Sequence, residues 1–291
     1  MALLKLRPAG KDYLWGGDQL KKNFNKEWEG DILAESWEFS CHPDGESIVA
    51  AGESAGITLR EYINWQGKRV LGRNTIQFGQ FPVLVKFIDA RDNLSIQVHP
   101  SDSYAMDREG QYGKTEMWYV AECEDDAFLY YGFSREIDIA EFKKRIEEDT
   151  LLEVLNRVPV SKGDVFFIEA GTIHAIGKGI VIAEIQQNSN VTNRSPKLRR
   201  DSFDPHLGVC QYFSVDKLVL DGQRMQKMTG KVDDSSFLHI LVLEGNGTIQ
   251  NGEEQLEFQK GDSLFLAADS GDFAVYGRCE ALLTSIPSPL S

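Results

Sequence analysis

Short apolar runs closed by Gly, Asp, Asn or Pro recur along almost the whole chain, and they constrain the fold more than any other feature. FPVLVKFID, LSIQVH, EMWYVAE, DAFLYYGF, GDVFFIEA, GIVIAEIQ, FLHILVLEG, QLEFQ, DSLFLAA and FAVYG all have this form. Many short strands with regular turn signals predict a β-sandwich or barrel. One amphipathic stretch interrupts them. Between Ile137 and Val158, the apolar residues Ile139, Phe142, Ile146, Leu152 and Leu155 are spaced by three, four, six and three, with charges between. That pattern predicts a helical insert near 137–158, in two pieces. Ser101 or Asp102 would cap a shorter helix running through Met106.

One strand unit occurs twice. Residues 162–170 read KGDVFFIEA and residues 260–268 read KGDSLFLAA. In each, a tight Gly-Asp turn launches a strand into a core. Two copies about a hundred residues apart predict two related barrels in tandem. Aligned on Ala170 and Ala268, His174 of the first copy matches Asp272 of the second, so a metal held through His174 would be absent from the second barrel.

The net charge of −14 over 291 residues disfavours a nucleic-acid binder or a polybasic membrane-surface protein. No apolar run is long enough for a membrane span, and the first residues lack the pattern of a secretory signal. The four cysteines, Cys41, Cys123, Cys210 and Cys279, are far apart and form no CxxC, which points to a reduced, cytoplasmic setting. The acidity is uneven. Residues 233–291 hold ten acidic and two basic residues, a net of −8, whereas residues 190–231 hold eight basic and four acidic, a net of +4. The basic island reads either as a solvated face or as an anion site.

The chemistry-bearing residues cluster in three of the strand segments. In LSIQVHP, alternation puts Gln97 and His99 on one face, where an inward polar pair needs a partner. Glu116 heads the strand in GKTEMWYV, and His174 follows the first Gly-Asp strand in EAGTIHAIG. A Gln, a Glu and two His make a mixed N/O set suited to zinc with an open coordination position. Taken singly, each also reads as an ordinary strand-end polar residue. His42, His206 and His239 lack metal-like partners and read as structural or exposed. Trp37 in ESWEFS reads as core.

These motifs resemble the type I mannose-6-phosphate isomerases, zinc enzymes of the cupin superfamily, in their short bacterial form. The matching segments are YLWGGDQL, ESWEFSCHPDGES, FPVLVKFIDARDNLSIQVHPSDSYA, GKTEMWYV and LLEVLNRVPVSKGDVFFIEAGTIHAIGKGIVIAEIQQNS. The resemblance implies a mainly β chain of two cupin-type (jelly-roll) barrels in tandem. A zinc-binding catalytic unit with the helical insert would occupy about 1–210, and a metal-free unit about 211–291. N-terminal strands crossing between the barrels would soften that boundary. It implies one Zn2+ per chain on Gln97, His99, Glu116 and His174, with Lys114 and Arg194 in the active site. Mannose 6-phosphate and fructose 6-phosphate would interconvert through an enediolate, with no base assignable. Lys114, Arg194, Lys197, Arg199 and Arg200 are the cations for the phosphate, the two consecutive arginines foremost.

The chain departs from the family after EIQQNS. It reads NVTNRSPKLRRD at 190–201, where the family runs close to Asp-Thr-Thr-Tyr-Arg. Arg194 is kept, whereas Asn190 and Asn193 replace the usual Asp and Tyr. Two alternatives follow: a zinc cupin isomerase for a different phosphosugar, and a non-catalytic sugar-phosphate binding or regulatory protein. The expected partner is a small sugar phosphate, with neither nucleic acid nor membrane, in a cytoplasmic monomer or homodimer.

Overall fold

In the structure, a computed structural model, residues 2–190 and 208–289 are described. Arg194, Lys197, Arg199, Arg200 and His206 fall outside them. Strands dominate, as the apolar runs predict, and are arranged mainly in sheets of eight, six and four strands. The six-stranded sheet contains, in spatial order, Val165–Ile168, Glu116–Cys123, Ile180–Gln187, Val83–Ala90, Glu35–Phe39 and Ala9–Lys11. The four-stranded sheet runs Leu155–Pro159, Phe128–Phe133, Ile173–Ile176 and Gln97–Val98. The functional cavity lies between these two.

The repeated turns fold alike. Gly163 N donates to Val120 O and Gly261 N to Val242 O, each at 2.8 Å. The Asp164 carboxylate accepts from Ser161 N and the Asp262 carboxylate from Gln259 N, again each at 2.8 Å. Both glycines have φ in the left-handed region, 96° and 91°, which a side chain would resist. The likeness extends beyond the turn. Ser263–Leu266, Leu238–Asn251, Gly271–Ser285 and Ser214–Leu220 stand in the eight-stranded sheet in the same antiparallel order as the first four strands of the six-stranded sheet.

The equivalent lysines of the two turns meet at one point. Lys162 pairs with Glu244 at 2.8 Å, and Lys260 pairs with both Glu244 and Glu122. The N-terminal strand Leu3–Arg7 also hydrogen-bonds to Ser263–Leu266, so a boundary drawn at 210/211 cuts across a continuous sheet.

The helical insert needs a correction. An α-helix spans Ile139–Glu147 and a 3-10 turn spans Leu151–Val154, but Leu155–Pro159 is a strand paired with Phe128–Phe133. The break falls where the apolar spacing widened to six. There Asp149 takes φ of 56°, which ends the helix. The shorter helix runs Asp102–Glu109, past Met106, to a left-handed Gly110. Ser101 occupies its N-cap position without a capping side-chain bond. Among the described residues, no helix is long and apolar enough to cross a membrane.

Candidate metal centre and active site

The six-stranded sheet brings one face of charged side chains to the cavity. Across it, Trp37, Lys86, Glu184 and Trp118 stand directly opposite one another on adjacent strands, so they share a face. Glu116 lies two residues from Trp118 on that same face. The four-stranded sheet supplies the opposite wall, where His174 is the register partner of Gln97.

Three of the four expected ligands converge. His174 Nε2 lies 3.2 Å from His99 Nε2 and 3.2 Å from Glu116 Oε1, and His99 Nε2 lies 3.6 Å from the same oxygen. All three residues are buried. The backbone of Thr172 sets the His174 ring. Its carbonyl can only accept, so Nδ1–H donates to it at 2.9 Å, leaving the Nε2 lone pair aimed at the cluster. Burial pushes the His174 imidazolium down to about 4, so the ring is neutral at pH 7. Gln97 lines the same cavity, and its amide nitrogen lies 3.4 Å from Ser95 Oγ. The cavity, about 40 Å³, is on the scale of an ion and one or two waters.

These atoms fit a metal. Glu116 Oε1, the carboxylate oxygen nearest both histidine Nε2 atoms, is buried without a hydrogen-bond donor. Donors about 2.0–2.1 Å from a tetrahedral zinc stand roughly 3.3 Å apart. The observed triangle of 3.2, 3.2 and 3.6 Å has that size.

Lys114 sits at the edge of the triangle, 2.8 Å from Glu116 Oε2 and 3.2 Å from His99 Nε2. Beyond it, three residues that the sequence reading did not single out extend a chain of alternating charge. Glu184 is 3.6 Å from Lys114 and 3.0 Å from Lys86, which is 3.4 Å from Glu35. Trp118 Nε1–H donates to Glu184 and Trp37 Nε1–H to Glu35. Trp37 is thus core and also a support for the site. Burial raises the Glu116 carboxyl, helped by Glu184 and opposed by Lys114. Burial acts on Glu184 too, but Lys114 and Lys86 overcome it and hold that carboxyl low. Burial works against the Lys86 ammonium, yet Glu184 and Glu35 hold it charged. The available signal for Lys86 and Glu184 was a charge flanked by apolar residues in the middle of a strand, VLVKFIDA and IVIAEIQQ. Such a group is tolerated inside only when paired.

A second network locks the segments that carry these groups. Asp102 Oδ1 accepts from Gly113 N at 2.7 Å and from Gln187 Nε2 at 2.8 Å, and Gln187 Oε1 accepts from Thr115 N at 2.8 Å. Lys114 N donates to Pro100 O at 3.0 Å, and Tyr212 donates its hydroxyl to Asp102 Oδ2. The stretch after His99 is thereby fastened to the stretch holding Lys114 and Glu116. A Cβ on Gly113 would stand 2.5 Å from Pro100 O, so only glycine permits this approach.

The other two described histidines, His42 and His239, are held by structural contacts. His42 accepts from Asp44 N at 3.2 Å and packs edge-on against Trp37. His239 is buried, stacks on Phe39, and bonds Ser263 Oγ at 2.9 Å. Glu38 is buried against Lys26 at 2.7 Å.

The sequence matches two family descriptions: the catalytic domain of type I phosphomannose isomerase over residues 3–122 and the mannose-6-phosphate isomerase cupin domain over residues 205–286. It is 34% identical to mannose-6-phosphate isomerase ManA of Bacillus subtilis, covering 97% of this chain and 98% of that protein. The structure is similar to the crystal structure of the Bacillus subtilis mannose 6-phosphate isomerase, with a TM-score of 0.87, 29% identity, and 98% and 99% of the two chains covered. A mannose 6-phosphate isomerase structure bound with zinc and yttrium shares the fold at a TM-score of 0.76 and 17% identity, with full coverage of both chains. The chain belongs to the type I phosphomannose isomerases.

Proposed function

We propose that the protein is a zinc-dependent aldose–ketose isomerase that interconverts mannose 6-phosphate and fructose 6-phosphate through a C1–C2 enediolate. The observation that carries this is the zinc-sized triangle of His99, Glu116 and His174, with the Lys114 ammonium on its edge. Gln97 completes the ligand set, one ion per chain. Bound zinc supplies a Lewis acid for the sugar oxygens at C1 and C2.

The chain's own groups do the rest. Lys114, fixed between Glu116 and Glu184, presents an ammonium to a developing oxyanion or to the phosphate. In this reading Arg194 is a second cation for the same oxygens, and Arg199 and Arg200 are the cations for the phosphate. Glu35, Glu184 and Glu116 against Lys86 and Lys114 leave one net negative charge, which a divalent ion reverses to positive. That sign suits an anionic sugar. The metal-bearing unit is about 1–210 and the metal-free unit about 211–291, with Leu3–Arg7 lent to the second sheet. Four free cysteines favour a cytoplasmic setting.

A mannose 6-phosphate turnover assay tests the reading. Chelation is expected to abolish turnover and zinc to restore it, and full turnover in metal-free protein would sink it. Arg194→Ala is expected to lower kcat far more than it raises KM, whereas an unchanged kcat removes Arg194 from the active site. The altered 190–201 segment favours a second reading, a zinc isomerase for a different phosphosugar. Faster turnover of another hexose or pentose phosphate in the same assay would select it.

A further inference from the structure

Among the described residues, some buried side-chain polar atoms without a hydrogen-bond partner line cavities. One of them, Glu116 Oε1, belongs to the metal centre. Three others, Arg60 Nε, Gln111 Oε1 and Asn188 Oδ1, line a separate cavity of about 420 Å³. No described residue lines both cavities. A volume of this size falls in the usual range for small-molecule sites, and orphaned polar groups inside it lack the partners that buried polar groups normally have.

The wall chemistry defines the occupant. Arg60 stands on the Leu59–Gln66 helix, and its guanidinium is held in place. It donates to Cys41 O and pairs with Glu46 at 2.7 Å, while Nε stays unpaired. Lys68 lines the same cavity, so two cations flank it, with Glu46 neutralising only part of that charge. On the other side, Asn188 is 8% exposed, with its backbone fixed by a 2.9 Å bond from its N–H to Pro82 O. Its Oδ1 and Gln111 Oε1 are acceptors that need donors. Phe81 and Ile63 give the cavity an apolar side. Hydroxyl groups satisfy the two amide oxygens, and an anionic group satisfies the arginine and lysine.

We propose that this cavity binds a small polyhydroxylated anion, a sugar or sugar alcohol carrying one phosphate or carboxylate, at a site separate from the metal centre. Its floor includes Gly110–Gln111 and Asn188, which directly precede the segments of Lys114 and Arg194. Occupancy therefore bears on Gly110–Gln111, the stretch just before Lys114.

The test is calorimetric titration of the zinc-loaded full-length protein with glucitol 6-phosphate and with gluconate, which separate the phosphate from the carboxylate occupant. Inorganic phosphate and glucitol serve as half-ligand controls. A saturable class of one site per chain is expected for one of the two anions, at least tenfold tighter than for either half-ligand. It should persist in Lys114→Ala. Arg60→Ala and the exposed, fold-neutral Lys68→Ala should each weaken it at least tenfold, with mannose 6-phosphate turnover within twofold of wild type at saturating substrate. Gln111→Leu should weaken the polyol anion but not inorganic phosphate. Absence of binding by both anions overturns the proposal. So does a binding class lost in Lys114→Ala but kept in Lys68→Ala, and so does inorganic phosphate binding as tightly as the polyol anion.

Discussion

The two regions that share the Gly-Asp turn have opposite interiors. Ile168 lies opposite Glu116 in the six-stranded sheet, and Leu266 lies opposite Leu238 at the equivalent register in the eight-stranded sheet. By the same register, Trp118 corresponds to Ile240, Glu184 to Leu283 and Lys86 to Asp216. The proposed metal ligand Glu116 and Glu184, the carboxylate beside both Lys86 and Lys114, are therefore matched by leucines in the second region. Ile240 and its buried neighbours Val242, Leu264 and Leu266 pack into an apolar cluster there. One strand arrangement thus supports either a packed core or a charged site, and the choice depends on a few side chains at fixed register positions. Burying five alternating charges is costly unless each is paired, so the first region gives up apolar packing to hold its chemistry.

Making the first region resemble the second should produce the largest effect. Glu116→Leu, which installs the residue found at position 238, is expected to lower mannose 6-phosphate turnover at least about 10³-fold and to lose the metal. Retained turnover with bound metal would remove Glu116 from the ligand set. Next in size is the ion chain. Lys86→Met leaves Glu184 and Glu35 buried with less compensation and should cost about 3–5 kcal/mol in urea unfolding. Adding Glu184→Leu, the residue of the second region, should recover most of that stability but none of the activity. No recovery would mean that Lys86 acts through packing rather than charge.

A smaller effect is expected at the tie between the two loops. Asp102→Ala removes the acceptor shared by Gly113 N–H and the Gln187 amide. A fall of about 10–100-fold in kcat or in metal affinity should follow, with little change in KM. Unchanged values for both would reduce the network to a structural role.

A last effect concerns the second region and is read as a pH dependence. Burial pushes the His239 imidazolium down to about 3 from an ordinary 6.5. Its folded pKa is depressed, so the unfolded chain takes up the proton first. The contribution to stability is therefore complete above about 6.5 and lost as pH falls toward 3, at up to about 1.4 kcal/mol per pH unit. Urea unfolding of His239→Phe between pH 7 and pH 4 should show a correspondingly shallower loss. Equal slopes would contradict a buried neutral His239.

What could be read in the sequence was what is local. His99, Glu116 and His174 each lie in or beside a strand whose alternation places them, and the Gly-Asp turn carries its own hydrogen bonds. Lys86, Glu184 and Glu35 were harder, because their meaning comes from cross-strand register between residues 35, 86 and 184. The pairing of Leu3–Arg7 with Ser263–Leu266 joins segments more than 250 residues apart, and no local pattern announces it. The second cavity is assembled from separate stretches, including His42, Arg60, Phe81, Gln111 and Asn188, none of which is unusual by itself. The apolar spacing of the helical insert carried over into Leu155 because it records burial and not hydrogen bonding. There a 3-10 turn gives way to a strand.

The contrast between the regions is tested most directly by counting zinc per chain in wild type, His174→Ala and Asp272→Ala, with turnover measured on the same samples. One zinc per chain is expected in wild type and in Asp272→Ala, each fully active, and none in an inactive His174→Ala. Stoichiometric zinc and full turnover in His174→Ala, or zinc lost in Asp272→Ala, would contradict a metal centre confined to the first region.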